Sequence, residues 1–251
     1  MTLIPFELKG PDGKLLRGDR ADGSRRQALY ITGFLSKRWG NKSKALAQWC
    51  AEVGWGFCCY DVRGFGDSEG AFTDYTLSDW IADARTVISA LPALPESVTI
   101  VGNSLGGWIA WLMAQECERI DRLILIAPAF NMMGVRAKTI SPERRHDWRS
   151  AGWMPWDDDP LHREWPLSWK WVEESEAYWA SNFNPLRRVR TTILHGTGDT
   201  VISPEGSREF VTLLLGRDPA YPIDLRVVTG DHRLSSPEHM EDLRRLLLEP
   251  V

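Results

Sequence analysis

The stretch Ser97-Val98-Thr99-Ile100-Val101-Gly102-Asn103-Ser104-Leu105-Gly106-Gly107 decides how this chain is read. Val98 to Val101 is a short, β-branched run of the kind that packs on a pleated, buried surface. A helix-like stretch, Trp108 to Glu116, follows without a break. Between them stands Gly-x-Ser-x-Gly, so the order is strand, tight turn, helix, the setting in which a serine hydroxyl is lifted off a strand end as a nucleophile. Sterics account for the glycines. Such a turn strains the backbone at the serine and brings strand and helix so close that a Cβ at 102 or 106 would collide. The same five letters also occur as an ordinary small-residue turn with a solvated serine; the flanking strand and helix favour the catalytic reading.

Outward from this turn, strand and helix patterns alternate. Phe6–Leu8 and Leu15–Gly18 flank the turn signal Gly10-Pro11-Asp12-Gly13 and predict a hairpin. Ala28–Thr32 and Gly56–Tyr60 read as strands, and Lys44–Val53 has helical spacing. Leu77–Leu91 reads as a helix, with Thr76 or Ser78 as its N-cap and Pro92 ending it. Beyond the serine turn come strands Leu123–Ile126, Thr192–Leu194 and Leu225–Val228, with helices over Pro204–Leu215 and Pro237–Leu248. Strands separated by helices predict an α/β fold whose mostly parallel sheet is covered on both faces. One segment breaks the rhythm. Met132 to Ala180 shows no strand pattern, is rich in Trp, Pro, Arg and acidic residues, and is too long for a plain connection. It predicts a lid, residues 132–180, inserted into a core made of residues 1–131 and 181–251.

Composition narrows the function classes. The 251 residues suffice for one large domain with a substantial core. The 43% hydrophobic and 25% charged fractions are ordinary for a globular protein. A net charge of −4 with both signs interspersed offers no electrostatic footprint for nucleic acid. The opening Met1–Gly10 lacks the basic-then-apolar layout of a signal peptide, and no apolar run approaches membrane-spanning length. Cys50, Cys58, Cys59 and Cys117 have no metal-ligand spacing; adjacent Cys58 and Cys59 read as small buried hydrophobes on opposite faces of a strand. A reducing, cytoplasmic compartment is the expectation. The unusual count is 13 tryptophans, of which the stretch from Trp148 to Trp179 holds seven that need burying.

A serine hydroxyl is a poor nucleophile near neutral pH and needs a base that an acid holds in place. After a serine turn of this type the expected chain order is Ser, then Asp or Glu, then His, with each group at the carboxyl end of a strand. Strand Thr192–Leu194 runs into His195-Gly196-Thr197-Gly198-Asp199, and strand Leu225–Val228 into Thr229-Gly230-Asp231-His232. His232 alone among the histidines follows a late strand in this way. His195 reads as fixing its loop, His146 and His162 lie in the lid, and His239 in the last helix. For the acid, Asp231 adjoins His232 and would point away from its ring, while Asp218 precedes its strand, which leaves Asp199. The candidate triad is therefore Ser104, Asp199 and His232.

Two backbone N–H groups must converge on the developing oxyanion. Leu105 supplies one at the helix start; the other comes from Gly33-Phe34-Leu35 after the first parallel strand, with Phe34 preferred and Leu35 second. Asp61-Val62-Arg63-Gly64-Phe65-Gly66-Asp67-Ser68 matches neither a P-loop nor a dinucleotide fingerprint. It reads as a tight turn whose charges hold neighbouring loops.

Taken together, the Gly33-Phe34 loop, the Asp61–Ser68 turn, Gly102–Gly107, His195–Asp199 and Gly230–His232 resemble the α/β-hydrolase superfamily over nearly the whole chain. Gly33-Phe34-Leu35-Ser36, Gly102-Asn103-Ser104-Leu105-Gly106-Gly107-Trp108 and Gly230-Asp231-His232-Arg233 are similar, more loosely, to its acyl-protein thioesterase and acyl-glucuronide esterase branch and bacterial relatives. The resemblance implies an α/β-hydrolase fold with a helical lid, Ser104 as nucleophile, His232 as base, Asp199 as acid, Phe34 and Leu105 as oxyanion amides, and no cofactor or metal. Thr32 departs from the histidine that many members carry before the oxyanion-loop glycine, which leaves the anchoring of that loop open. Serine at 104 speaks against the dehalogenase branch, which has aspartate there. The substrate implied is a small carboxylic ester or thioester with an apolar or aromatic moiety, since a tryptophan-rich lid buries area without charge. Arg136, Lys138, Arg144 and Arg145 offer contacts to a carboxylate, although solvation is the ordinary fate of such residues. A C–C bond hydrolase with the same triad, and a ligand-binding receptor on the same scaffold, are the alternatives.

Overall fold

The computed structural model describes residues 2–93, 97–154, 165–183 and 186–250. Its main strands are β1 (Ile4–Lys9), β2 (Leu15–Ala21), β3 (Gln27–Ile31), β4 (Gly56–Asp61), β5 (Val98–Asn103), β6 (Ile120–Ile126), β9 (Arg190–Gly196) and β10 (Ile223–Val228). They form one sheet in the order β1-β2-β4-β3-β5-β6-β9-β10. β1 and β2 make the predicted hairpin, β2 pairs antiparallel with β4, and every pair from β4 onward is parallel. Period-two alternation then gives the sheet two apolar faces. Leu29, Ile31, Cys58, Ile100 and Leu123 look one way; Ala28, Tyr30, Cys59, Val101 and Ile124 look the other. Cys58 and Cys59 are buried on opposite faces, as their adjacency requires.

Helices α2 (Leu77–Ala90) and α3 (Leu105–Glu116) cover the first face, and α1 (Asn41–Glu52) and α8 (Pro237–Leu248) the second. Thr76 is the N-cap of α2; the Asp79 carboxylate accepts from its N–H at 2.9 Å and its hydroxyl at 3.1 Å. α3 is buried from Leu105 through Ala114, apolar all round because the sheet and α2 enclose it and Phe183 and Phe210 pack on Trp111. Its closeness to β5 and β3 is what the glycines allow. A Cβ at Gly102 would lie 2.5 Å from the Gly106 carbonyl oxygen, and one at Gly106 would lie 2.3 Å from the oxygens of Ile31 and Thr32. Both obstacles are backbone, so Gly106→Ala is expected to destabilise by about 3 kcal/mol, at the upper end of overpacking, seen as a lower urea midpoint. A midpoint unchanged from wild type would show that the approach is less tight than described.

Between β6 and β9 lie α4 (Met132–Thr139), α5 (Pro142–Ala151), β7 (Trp153–Met154), β8 (Leu167–Ser168) and α6 (Trp169–Ala177); α7 (Pro204–Arg217) follows β9. The expected absence of strand here is corrected by β7 and β8, a two-residue antiparallel ladder too short to leave a periodic signal. Gly152 (φ 77°) ends α5, and the Trp148 indole N–H donates to the Leu167 carbonyl at 2.9 Å across the same turn. The demand for tryptophan burial is corrected as well. Trp148 and Trp171 are buried, but Trp153 is 39% exposed, and Trp156 lies outside the described residues. Among the described residues no helix is long and apolar enough to cross a membrane.

Candidate active site

Three strand ends converge. Ser104 follows β5, Asp199 stands in the loop after β9, and His232 in the loop after β10. The Ser104 hydroxyl donates to His232 Nε2 at 3.2 Å, and His232 Nδ1 donates to Asp199 Oδ2 at 2.7 Å. Ser104 is held at φ 52°, ψ −120°, sparsely populated backbone for a residue with a Cβ. Its N–H is bonded to the Ile126 carbonyl and its carbonyl accepts from Gly107 and Ala129, so the neighbouring strand and helix enforce that conformation.

Asp199 is the most thoroughly bonded group of the three. Oδ1 accepts from the N–H groups of Val201 (2.9 Å) and Ile202 (2.8 Å). Oδ2 accepts from His232 and from His195 Nε2 at 3.1 Å. Burial pushes the carboxyl up, but the hydrogen bonds from His195, His232 and Ile202 outweigh it and hold Asp199 well below the usual carboxylate range. It is therefore ionised wherever the protein is folded near neutral pH.

The loop Gly33–Ser36 passes beside the serine: a Cβ at Gly33 would meet the Ser104 Cβ at 3.1 Å. Its turn is closed by the Ser36 N–H donating to the Gly33 carbonyl at 3.2 Å, with Leu35 at φ 51°. The question raised by Thr32 has a geometric answer, since its hydroxyl donates to the Ser36 carbonyl at 3.1 Å and ties the loop down without a histidine. Leu105 opens α3, where a first-turn N–H has no carbonyl within its own helix. Phe34 and Leu105 thus flank Ser104, and both line a small, largely apolar pocket walled further by Val62, Phe65, Phe72, Trp80 and Ile109. Phe72 stands 5.7 Å from Phe34 and 5.8 Å from Trp80, ring centre to ring centre, and Trp171 of α6 packs on Phe34 at 5.1 Å.

The competing residues are engaged elsewhere. Asp231 Oδ1 accepts from the Arg233 and Leu234 N–H groups, and Asp218 pairs with Arg188. His239 bonds to Ser236 and the Thr229 carbonyl, His146 contacts Ser150, and His162 lies outside the described residues. The Asp61–Ser68 turn is scaffolding. Asp61 accepts from Arg38, and buried Arg63 pairs with buried Asp83 while stacking on Tyr75. On α4 Lys138 is exposed, and Arg145 of α5 donates to the Ala137 carbonyl.

Two groups escaped sequence reasoning. Ser207 on α7 bonds His195 Nδ1 at 2.8 Å, and Lys42 on α1 grips the Arg233 carbonyl and the Ser235 hydroxyl, clamping the loop that carries His232. Burial pushes the Lys42 ammonium down to about 8. No local pattern marks a lysine whose partners lie some 190 residues away.

Residues 36–249 match the alpha/beta hydrolase family. Among characterised proteins, the palmitoyl-protein thioesterase ABHD10, mitochondrial, of Bos taurus is 24% identical over 238 residues, covering 93% of this chain and 75% of that protein. Among solved structures, a protein of Agrobacterium vitis S4 superposes with a TM-score of 0.86 at 23% identity, covering 98% of each chain. Alpha/beta hydrolase domain-containing protein 10 from mouse superposes at 0.83 with 21% identity, covering 97% of this chain and 96% of that one. These structural likenesses speak to the fold.

Proposed function

The chain belongs to the alpha/beta hydrolase family, and from that premise we propose that it cleaves a carboxylic ester or thioester through an acyl-enzyme on Ser104. The observation that carries this reading is the continuous hydrogen-bonded line from Ser104 Oγ through His232 to Asp199, at 3.2 and 2.7 Å. His232 Nε2 takes the hydroxyl proton as Oγ attacks the acyl carbonyl. The Phe34 and Leu105 N–H groups hold the oxyanion, and the positive end of α3 adds to their field. The tetrahedral intermediate collapses, and His232 returns the proton to the departing alcohol or thiol. Water, deprotonated in turn by His232, then attacks the acyl-serine; the Oγ–acyl bond breaks, His232 returns the proton to Ser104 Oγ, and the carboxylic acid is released.

The aromatic pocket beside Phe34 suits the acyl group. The aromatic side chains around it leave little open space, which favours short or aromatic acyl groups over long chains. The similarity to a protein named a palmitoyl-protein thioesterase supports thioesters among the substrates. Two measurements test the reading. Purified protein is expected to react stoichiometrically with a fluorophosphonate probe at Ser104; absence of labelling would leave a ligand-binding role for the scaffold. Across p-nitrophenyl esters and acyl thioesters from acetyl to palmitoyl, with a cinnamoyl-type ester included, kcat/KM is expected to peak at short or aromatic groups. Phe72→Ala is expected to move that optimum to longer chains, worth about tenfold for the favoured longer ester, since each methylene gained in an apolar pocket contributes about 1 kcal/mol or more. An unchanged optimum would remove Phe72 from the pocket wall.

A further inference from the structure

Asp199 is shared by two histidines. On one side run His232 and Ser104; on the other run His195 and Ser207, so that a Ser–His–Asp–His–Ser chain is centred on one carboxylate oxygen. The second arm differs in burial: His195 and Ser207 have no exposed surface, while the His232 side chain keeps 18% of its own. Its tautomer follows from its neighbours. His195 Nε2 faces two acceptors, Asp199 Oδ2 at 3.1 Å and the Ile202 carbonyl at 3.0 Å, so it carries the proton. Nδ1 is then the acceptor for the Ser207 hydroxyl at 2.8 Å.

We propose that His195, set in its tautomer by Ser207, is a positioning residue for the reaction, which tunes how strongly Asp199 supports the charged form of His232. This rests on the Ser104–His232–Asp199 reading above. Oδ2 divides its charge between two N–H donors, so each bond is weaker than it would be alone. The carboxylate is fixed in orientation by four donors, two on each oxygen. A base held too strongly protonated is lost at neutral pH, and a base held too weakly takes no proton from serine. His195 sets the balance between these.

Removing its donor concentrates the Asp199 charge on the bond to His232, and the imidazolium then persists to higher pH. The other groups around His232 stay in place: Lys42 from α1 on the Arg233 carbonyl, Asp231 on its own loop amides, Arg233 beside it, and His239 from α8 on the Thr229 carbonyl. A shift would therefore report Asp199.

The test is the pH dependence of kcat/KM on a p-nitrophenyl ester for wild type, His195→Phe, His195→Gln and Ser207→Ala. Phenylalanine keeps the shape and loses the donor; glutamine can return a carboxamide N–H near the former Nε2. For His195→Phe the acidic limb is expected to move up by ~0.5–1 pH unit, with kcat/KM well below the limb's midpoint lower by about 3- to 10-fold and the loss fading as pH rises past it. His195→Gln is expected to restore the limb to near its wild-type position. Ser207→Ala keeps the ring and is expected to give a smaller shift of the same sign, and it decides the matter should His195→Phe fail to fold. A rate lowered equally at all pH values, with the limb unmoved in the folded variants, would overturn the proposal and leave His195 a purely structural residue. A wild-type protein without activity or probe labelling would instead overturn the triad reading beneath it.

Discussion

Ser104→Ala is expected to lower kcat on a p-nitrophenyl ester by ~10⁶-fold while leaving the fold intact, the loss that follows when a triad nucleophile is removed. Alanine keeps a Cβ, so the backbone at φ 52° is neither relieved nor worsened. The three backbone bonds that hold residue 104 to Ile126, Gly107 and Ala129 do not involve the side chain. What is lost is the bond from Oγ to His232 Nε2 at 3.2 Å, and the partly exposed imidazole can replace it with water. The melting temperature is therefore expected to stay within about 3 °C of wild type, the shift that a change of about 1 kcal/mol gives in a chain this long. Residual turnover about 10³-fold above water is expected, because the oxyanion amides and the acyl pocket still bind and polarise the ester. Paired kinetics and melting on one preparation check both halves. Activity within tenfold of wild type would remove Ser104 from the chemistry, and a collapsed melting temperature would make the kinetic loss uninformative.

The part of this site legible in the sequence is the part built from local geometry. Gly102 and Gly106 announce a close approach because only the absence of a Cβ permits it, and the obstacles prove to be backbone oxygens from the same turn and from β3. Asp199 and His232 were readable because a parallel sheet delivers strand ends to one edge, and the order Ser, Asp, His then suffices. Long-range pairings left no such trace. β6 begins at Ile120, not Leu123, because Arg122 sits inside it with 2% exposure and donates to the Leu247 and Glu249 carbonyls at the end of α8, where the helix dipole favours a cation. A buried arginine in a strand breaks the apolar pattern unless its partner, some 125 residues on, is known. His195 was readable as a loop anchor, but Ser207 and the shared carboxylate depend on how α7 returns over β9. The segment between β6 and β9 shows the same limit: its unusual composition was visible, whereas the β7–β8 ladder and the exposure of Trp153 are set by tertiary packing.

The same shared carboxylate makes Asp199→Asn the second large effect, expected at ~10⁴-fold in kcat. Asparagine keeps size and one carbonyl oxygen but replaces two of four acceptor sites with N–H donors. If that oxygen stays at Oδ1, it still accepts from Val201 and Ile202, and the amide nitrogen then faces two histidine N–H groups formerly bonded at 2.7 and 3.1 Å. Donor meets donor. His232 relieves this by moving its proton to Nε2, where it can no longer accept from Ser104, so the base is lost although every atom of the triad remains close to its place. If the amide flips, the oxygen serves the histidines and the nitrogen opposes two backbone N–H groups that a loop cannot retautomerise. Either way at least one buried donor is left opposing another, which costs about 1–3 kcal/mol of stability and lowers the urea midpoint accordingly. Because Asp199 is ionised well below its ordinary range, the wild type draws stability from this carboxylate above the unfolded-state pKa of about 4 and loses it as pH falls toward the folded value. Asp199→Asn is therefore expected to flatten the acid limb of the stability–pH profile as well as to silence the enzyme. A rate loss under tenfold would transfer the acid role to another carboxylate, and an unaltered acid limb would mean that the four donors do not stabilise the ionised form.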